Sequence, residues 1–133
     1  MIVVDASMVL GWALAEELGA EAVAARAYVS EFGGYVPGNF HTEVAHGLLQ
    51  AERRKRITAS DASAALADIL DLALTVEPPN PHVIVSSARE YGLTGYDAAY
   101  LALALQSGYP LATGDEQLRK AARNAKLLWN DGS

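Results

Sequence analysis

The chain contains no cysteine. Disulfides, thiolate zinc sites and cysteine nucleophiles are therefore excluded, and nothing in the composition argues for an oxidising compartment. Positive charge is also scarce: ten Lys and Arg stand against sixteen Asp and Glu, a net charge of −6. That balance disfavours a surface coated in positive charge for non-specific DNA binding. It leaves room for a nucleic-acid enzyme whose acids gather at a metal. Long apolar runs are missing too, since the longest clean one, Ala98 to Leu105, falls far short of a membrane span. The opening residues, MIVVDAS, carry no basic leader and meet an acid at position 5, unlike a signal peptide. Neither a Gly-x-Ser-x-Gly elbow nor a P-loop occurs, which removes those hydrolase classes. No repeat, low-complexity tract or linker interrupts the chain. With 51% apolar and 20% charged residues over 133 positions, the expectation is one globular domain, 1–133, soluble and cytoplasmic.

What is present alternates between strand and helix signals. MIVVD reads as a buried strand, a β-branched run closed by a charge. ASMVLGWALAEE and GAEAVAARAYVSEFGG read as helices, the second stopped by Gly33-Gly34. YVP is a short strand, and Asn39 stands as the N-cap of a helix to about Arg56, with Phe40, Val44, Leu48 and Ala51 forming one apolar stripe. A further helix is expected from about Ser60 to Leu74, then a short strand in TVEPPN. Asn80-Pro81 supplies a cap and an N1 proline for a helix ending at Gly92. The segment TGYDAAYLALAL opens a helix that is apolar nearly all round, hence central, and that ends at Gly108. YPLAT reads as a buried strand, GDEQLRKAARNA as a final helix, and KLLW has the composition of a last strand. This order argues for an α/β three-layer sandwich. A mainly parallel central sheet of four to five strands would be flanked by helices.

Parallel sheets bind ligands outside the carboxyl ends of their strands. Asp5 ends the first strand, and Asp115 follows YPLAT. Asp97 opens the helix that runs back antiparallel to that strand, and Glu43 sits in the first turn of the helix after YVP. Topology thus assigns four acids from four segments to one rim. Taken singly, each is explained by helix capping or by the helix dipole, and Thr94 with Asp97 has capping-box spacing. Gathered together they repel, by about 4 kcal/mol for two carboxylates 4 Å apart at an effective dielectric near 20. Divalent Mg²⁺ or Mn²⁺, which takes hard oxygen ligands, offsets such repulsion. Metal-assisted phosphodiester hydrolysis is the reaction class that follows.

The segments VVDAS, PGNFHTEVAHGL, LTGYDAAYLALAL and PLATGDEQL, in this order, resemble the PIN-domain nucleases, and most of all the short VapC-type toxins. The resemblance runs from Ile2 to about Trp129. It implies a Mg²⁺- or Mn²⁺-dependent endoribonuclease acting on RNA, a homodimer, and a cognate antitoxin protein that blocks the site. The family's acids carry over onto Asp5, Glu43, Asp97 and Asp115. Its small hydroxyl residues match Ser7 and Thr113, as supporting groups. Some members carry a basic residue just before the fourth acid, where this chain has Gly114. Glu116 directly follows Asp115 and could share its role, but Asp115 is favoured because the shorter side chain at the strand end fits the motif.

Other features weigh less. The ERRKR cluster at 52–56 lies roughly 15–20 Å down its helix from Glu43 at 1.5 Å per residue, and reads as a solvated helix end. Arg119, Arg123 and Lys126, on a helix face beyond Asp115, are the better candidates for RNA contacts. Glu43 and His46 form half of a di-iron motif whose second copy is absent, so His46 reads as structural. The alternatives are a catalytically degenerate PIN module that binds RNA or protein, and a phosphatase using Asp5 as nucleophile. The latter commonly needs an acid two residues later, and position 7 is Ser.

Overall fold

The computed structural model describes residues 1–130. Four short strands form one parallel sheet in the order β3-β2-β1-β4, with β1 at Ile2–Val4, β2 at Gly34–Val36, β3 at Leu74–Val76 and β4 at Leu111–Ala112. Seven helices flank it among the described residues: α1 Ala6–Leu14, α2 Ala20–Phe32, α3 Phe40–Arg53, α4 Ala59–Leu70, α5 Pro81–Tyr91, α6 Gly95–Ser107 and α7 Glu116–Asn124. Helices α1 to α4 pack on one another, whereas α6 packs on α5, α7, β1 and β4.

The parallel register follows from the apolar run of β1, which is buried along its whole length, as a central parallel strand requires. α6 fills the core beside it. Every residue from Ala98 to Ala104 is buried, so its apolar surface has no polar side to offer solvent. Small alanines let α6 approach β1 and β4 closely, and Tyr100 and Leu101 fill the remaining volume.

Several boundaries differ from the sequence expectation, each for a local reason. α1 stops at Leu14, ahead of Glu16 and Glu17, whose charges disfavour a helix C-terminus. The helix expected to reach Leu74 ends at Leu70. Leu74 instead enters β3, where pairing with β2 overrides its helical period. α6 begins at Gly95, with Thr94 as its cap, two residues before Asp97. YPLAT contributes only Leu111–Ala112 to the sheet. KLLW adds a single parallel bridge, Leu128 to Leu111, fastened by the Leu111 N–H on the Leu127 carbonyl and the Trp129 N–H on the Leu111 carbonyl. α7 ends at Asn124, and Lys126 has a left-handed backbone (φ 61°), so Lys126 does not share a helix face with Arg119 and Arg123.

Candidate active site

Asp5 leaves the carboxyl end of β1 and caps α1, its Oδ1 accepting the Met8 N–H at 2.9 Å. Its other contacts come from two hydroxyls. Ser7 Oγ lies 2.9 Å from both carboxylate oxygens, and Thr113 Oγ1 donates to Oδ2 at 2.6 Å. Asp5 and Thr113 are both buried. Burial pushes the Asp5 carboxyl up to about 6; the bonds from Thr113, Met8 and Ser7 pull it down, and the nearby Asp115 charge pushes it up again.

Thr113 lies between two of the acids. While it donates to Asp5, its oxygen accepts the Asp115 N–H at 3.0 Å. Ser7 makes a parallel tie, accepting the Gly114 N–H at 3.3 Å. Asp115 then caps α7, with Oδ2 accepting the Leu118 N–H at 2.9 Å. The turn after β4 is therefore laced to the turn after β1, and both turns end in an acid that heads a helix.

Glu43, in the first turn of α3, is held differently. The Asn39 amide and the Tyr100 hydroxyl each donate to Oε1, both at 2.7 Å. Asn39 occupies the cap position expected from the sequence, but its side chain makes no cap bond and turns to Glu43. Asp97 sits in the first turn of α6, where Thr94 Oγ1 accepts its N–H at 3.2 Å. Its carboxyl is raised by burial first, then by the charges of Asp115 and Glu43, against a lowering bond from Thr94.

These couplings link the four acids in a chain: Asp5 with Asp115, Asp115 with Asp97, and Asp97 with Glu43. Tyr100 adjoins it: its buried phenol is raised by burial, by its bond to Glu43 and by the charges of Glu43 and Asp5, and lowered by the Ala6 backbone. Among the described residues no three His, Asp or Glu side chains stand at the spacing of a closed ion cage. The donor set is nonetheless all hard oxygen with concentrated negative charge, which fits Mg²⁺ or Mn²⁺ rather than zinc or copper.

Sequence reasoning did not single out Asn39 or Tyr100 for the site. The available signal was a tyrosine three residues after Asp97, on the same helix face, in an otherwise aliphatic run. Arg119 is engaged within the fold: its Nη1 donates to Glu21 at 2.9 Å and to the Thr113 carbonyl at 3.0 Å. Arg123, Lys126 and the cluster from Arg53 to Arg56 are exposed. His46 pairs with Gln50 one turn on, at 2.9 Å.

The family model described as PIN domain matches residues 2–124. Ribonuclease VapC1 of Mycobacterium tuberculosis is 36% identical over 120 residues, covering 90% of this chain and 89% of that protein. Ribonuclease VapC9 of the same species is 34% identical over 122 residues, covering 89% and 88%. Among solved structures, PAE2754 from Pyrobaculum aerophilum superposes with a TM-score of 0.71 at 24% identity, covering 90% of this chain and 83% of that one. VapC20 of Mycobacterium tuberculosis, described as a Sarcin-Ricin loop cleaving toxin, has a TM-score of 0.62 at 18% identity, covering 91% and 95%.

Proposed function

This chain belongs to the PIN-domain family, alongside the VapC ribonucleases, and we propose that it works as the endoribonuclease toxin of a toxin–antitoxin pair, cutting RNA where Asp5, Glu43, Asp97 and Asp115 meet. The observation that best supports this site is that four acids from four separate elements open on one edge of the sheet, with Thr113 bonded to both Asp5 and Asp115. Stability alone would select against such a grouping, because like charges at one rim cost folding free energy.

The four carboxylates would hold one or two divalent cations. A bound Mg²⁺ or Mn²⁺ supplies a water of lowered pKa and offsets charge on the phosphate. The remaining work falls to the chain's own side chains. Ser7, Thr113 and the Met8 N–H lock Asp5 in one orientation, so its position is set before substrate arrives. Thr113 couples that orientation to Asp115. Asp97, whose Thr94 bond is made by its backbone N–H, has its proton affinity raised first by burial and then by the charges of Asp115 and Glu43, so it is suited to take a proton from the attacking water. Arg123 and Lys126 are offered as phosphate contacts flanking the cut. Arg119 serves the turn at Thr113 first.

The same reading makes the chain a cytoplasmic homodimer whose acidic rim is closed by a cognate antitoxin. No helix among the described residues is long and apolar enough to cross a membrane. A cleavage assay on structured RNA, titrated with Mg²⁺ and Mn²⁺ beside a small phosphomonoester, tests the activity. Metal-dependent RNA cuts that vanish in Asp97→Asn are expected. Turnover of the monoester alone, or RNA binding without cleavage at any metal concentration, overturns the reading.

A further inference from the structure

Glu43 receives two donors on the same oxygen. Asn39 Nδ2 and Tyr100 Oη both lie 2.7 Å from Oε1, and no bond among the described residues falls on Oε2. The two donors differ in kind. Asn39 is partly exposed and belongs to the turn that starts α3, and the same amide reaches the Tyr96 carbonyl at 3.4 Å. Tyr100 is buried to 1% exposure in the middle of α6, fifty-seven residues along the chain from Glu43. Its ring is fixed by core packing, which sets its hydroxyl between Glu43 Oε1 and the Ala6 backbone N–H. A phenol this deep in the core is normally apolar filling with its hydroxyl satisfied by the backbone. Here the backbone N–H of Ala6 is also near, but the hydroxyl's proton goes to a carboxylate at the rim.

We infer that Tyr100 and Asn39 are positioning residues that pin Glu43 by Oε1 and so reserve Oε2 for the cation. The inference rests on the metal-site reading above and adds to it which oxygen is used and what aims it. Two hydrogen bonds on one carboxylate oxygen remove rotation about the last side-chain torsion. They also draw charge toward the bonded oxygen, leaving the free one as the open ligand position. Groups that orient a metal-binding carboxylate in this way typically contribute about 10–100-fold in metal affinity. Phe at position 100 keeps the ring and its packing while deleting only the donor. That makes the substitution a probe of orientation more than of core volume.

The test is Mn²⁺ uptake by the full chain without RNA, followed by calorimetry, with melting temperature recorded in chelator. Tyr100→Phe is expected to weaken Mn²⁺ about tenfold or more, and in cleavage assays to lower kcat with little change in KM for RNA. Asn39→Ala should act in the same direction, more weakly, because water replaces an exposed donor. In a Glu43→Gln background, Tyr100→Phe should change Mn²⁺ affinity little further, since the one acid it donates a hydrogen bond to is Glu43. Wild-type affinity in both Tyr100→Phe and Asn39→Ala overturns the inference, as does an equal loss from Tyr100→Phe in both backgrounds. If Tyr100→Phe fails to fold, Asn39→Ala and its cycle with Glu43→Gln decide alone. Failure of the wild-type chain to take up Mn²⁺ overturns the site reading itself, an outcome distinct from normal uptake that ignores Tyr100.

Discussion

Thr113 Oγ1 lies 2.6 Å from Asp5 Oδ2, across 108 residues of sequence, and the same oxygen accepts the Asp115 N–H. One hydroxyl thus joins the turn after β1 to the turn after β4. It stabilises the charged form of a buried acid while fixing the backbone of a second one.

Thr113→Val keeps the shape and removes both bonds. A buried carboxylate then loses a donor, and a backbone N–H loses its acceptor. The expected cost is about 1–3 kcal/mol in urea unfolding at neutral pH in chelator. The Asp5 carboxyl should also move further up from about 6, because the bond from Thr113 is the largest influence holding it down. NMR titration of the Asp5 carboxyl carbon reads that shift, and Thr113→Ser should restore most of both effects.

Asp5 also gives the metal-free protein a definite pH dependence. Its folded value, about 6, lies above the unfolded value of 3.8, so the folded state binds the extra proton between the two. The contribution is complete below the unfolded value and is lost as pH rises through about 6. For a side chain only 4% exposed, this ionisation costs about 3 kcal/mol of stability. Asp97, raised in the same sense, adds to the trend. In chelator, unfolding free energy should therefore fall from about pH 4 to just above pH 6, and fall less in Asp5→Asn. A flat profile in the wild type contradicts the burial argument.

Capping and rim charge separate cleanly at the start of α6. Thr94 supplies the cap bond through its hydroxyl, whereas α4 shows the full reciprocal capping box between Thr58 and Asp61. Removing the Asp97 charge leaves the Thr94 bond in place, because that bond uses the Asp97 backbone. In chelator, Asp97→Asn should be no less stable than wild type, while Thr94→Ala should lose about 1 kcal/mol. With millimolar Mg²⁺ the order changes. Binding to the native state raises the wild-type melting temperature, and does so much less in Asp97→Asn. Equal shifts in both count against Asp97 as a ligand.

The rim was legible in the sequence because topology alone sets it. Once β1 and β4 are parallel neighbours, Asp5 and Asp115 must emerge on one edge, and the helices beginning near Glu43 and Asp97 must open toward it. Period and punctuation sufficed for that. The wiring between the acids was not legible. Whether Asn39 caps its helix or turns to Glu43 depends on Tyr96 and Tyr100 arriving from α6, a tertiary event with no local signature. Leu74 failed for a similar reason: the 3.6-residue period runs through it, yet strand pairing to Gly34 takes it away. Arg119 and Arg123 look alike in sequence, and only the fold shows that Glu21 has claimed one of them.

That last distinction makes the two arginines separable in RNA binding. Arg119 Nη1 spans from Glu21 on α2 to the Thr113 carbonyl, so it steadies the turn that carries Asp115. Its own ion pair is partly exposed and screened, so its removal should cost little stability, about 0–1 kcal/mol. What it should disturb is alignment: Arg119→Gln is expected to lower kcat with KM nearly unchanged. Arg123 is exposed on α7 and has no ion pair among the described residues. If it meets phosphate, Arg123→Gln should weaken binding across RNA sequences alike and reduce the slope of log K against log salt by about 1. Filter binding in chelator over a salt series measures this without cleavage. A salt slope that drops for Arg119 and not for Arg123 would reverse the assignment, because a guanidinium already held by Glu21 and Thr113 would then be the one that releases counterions.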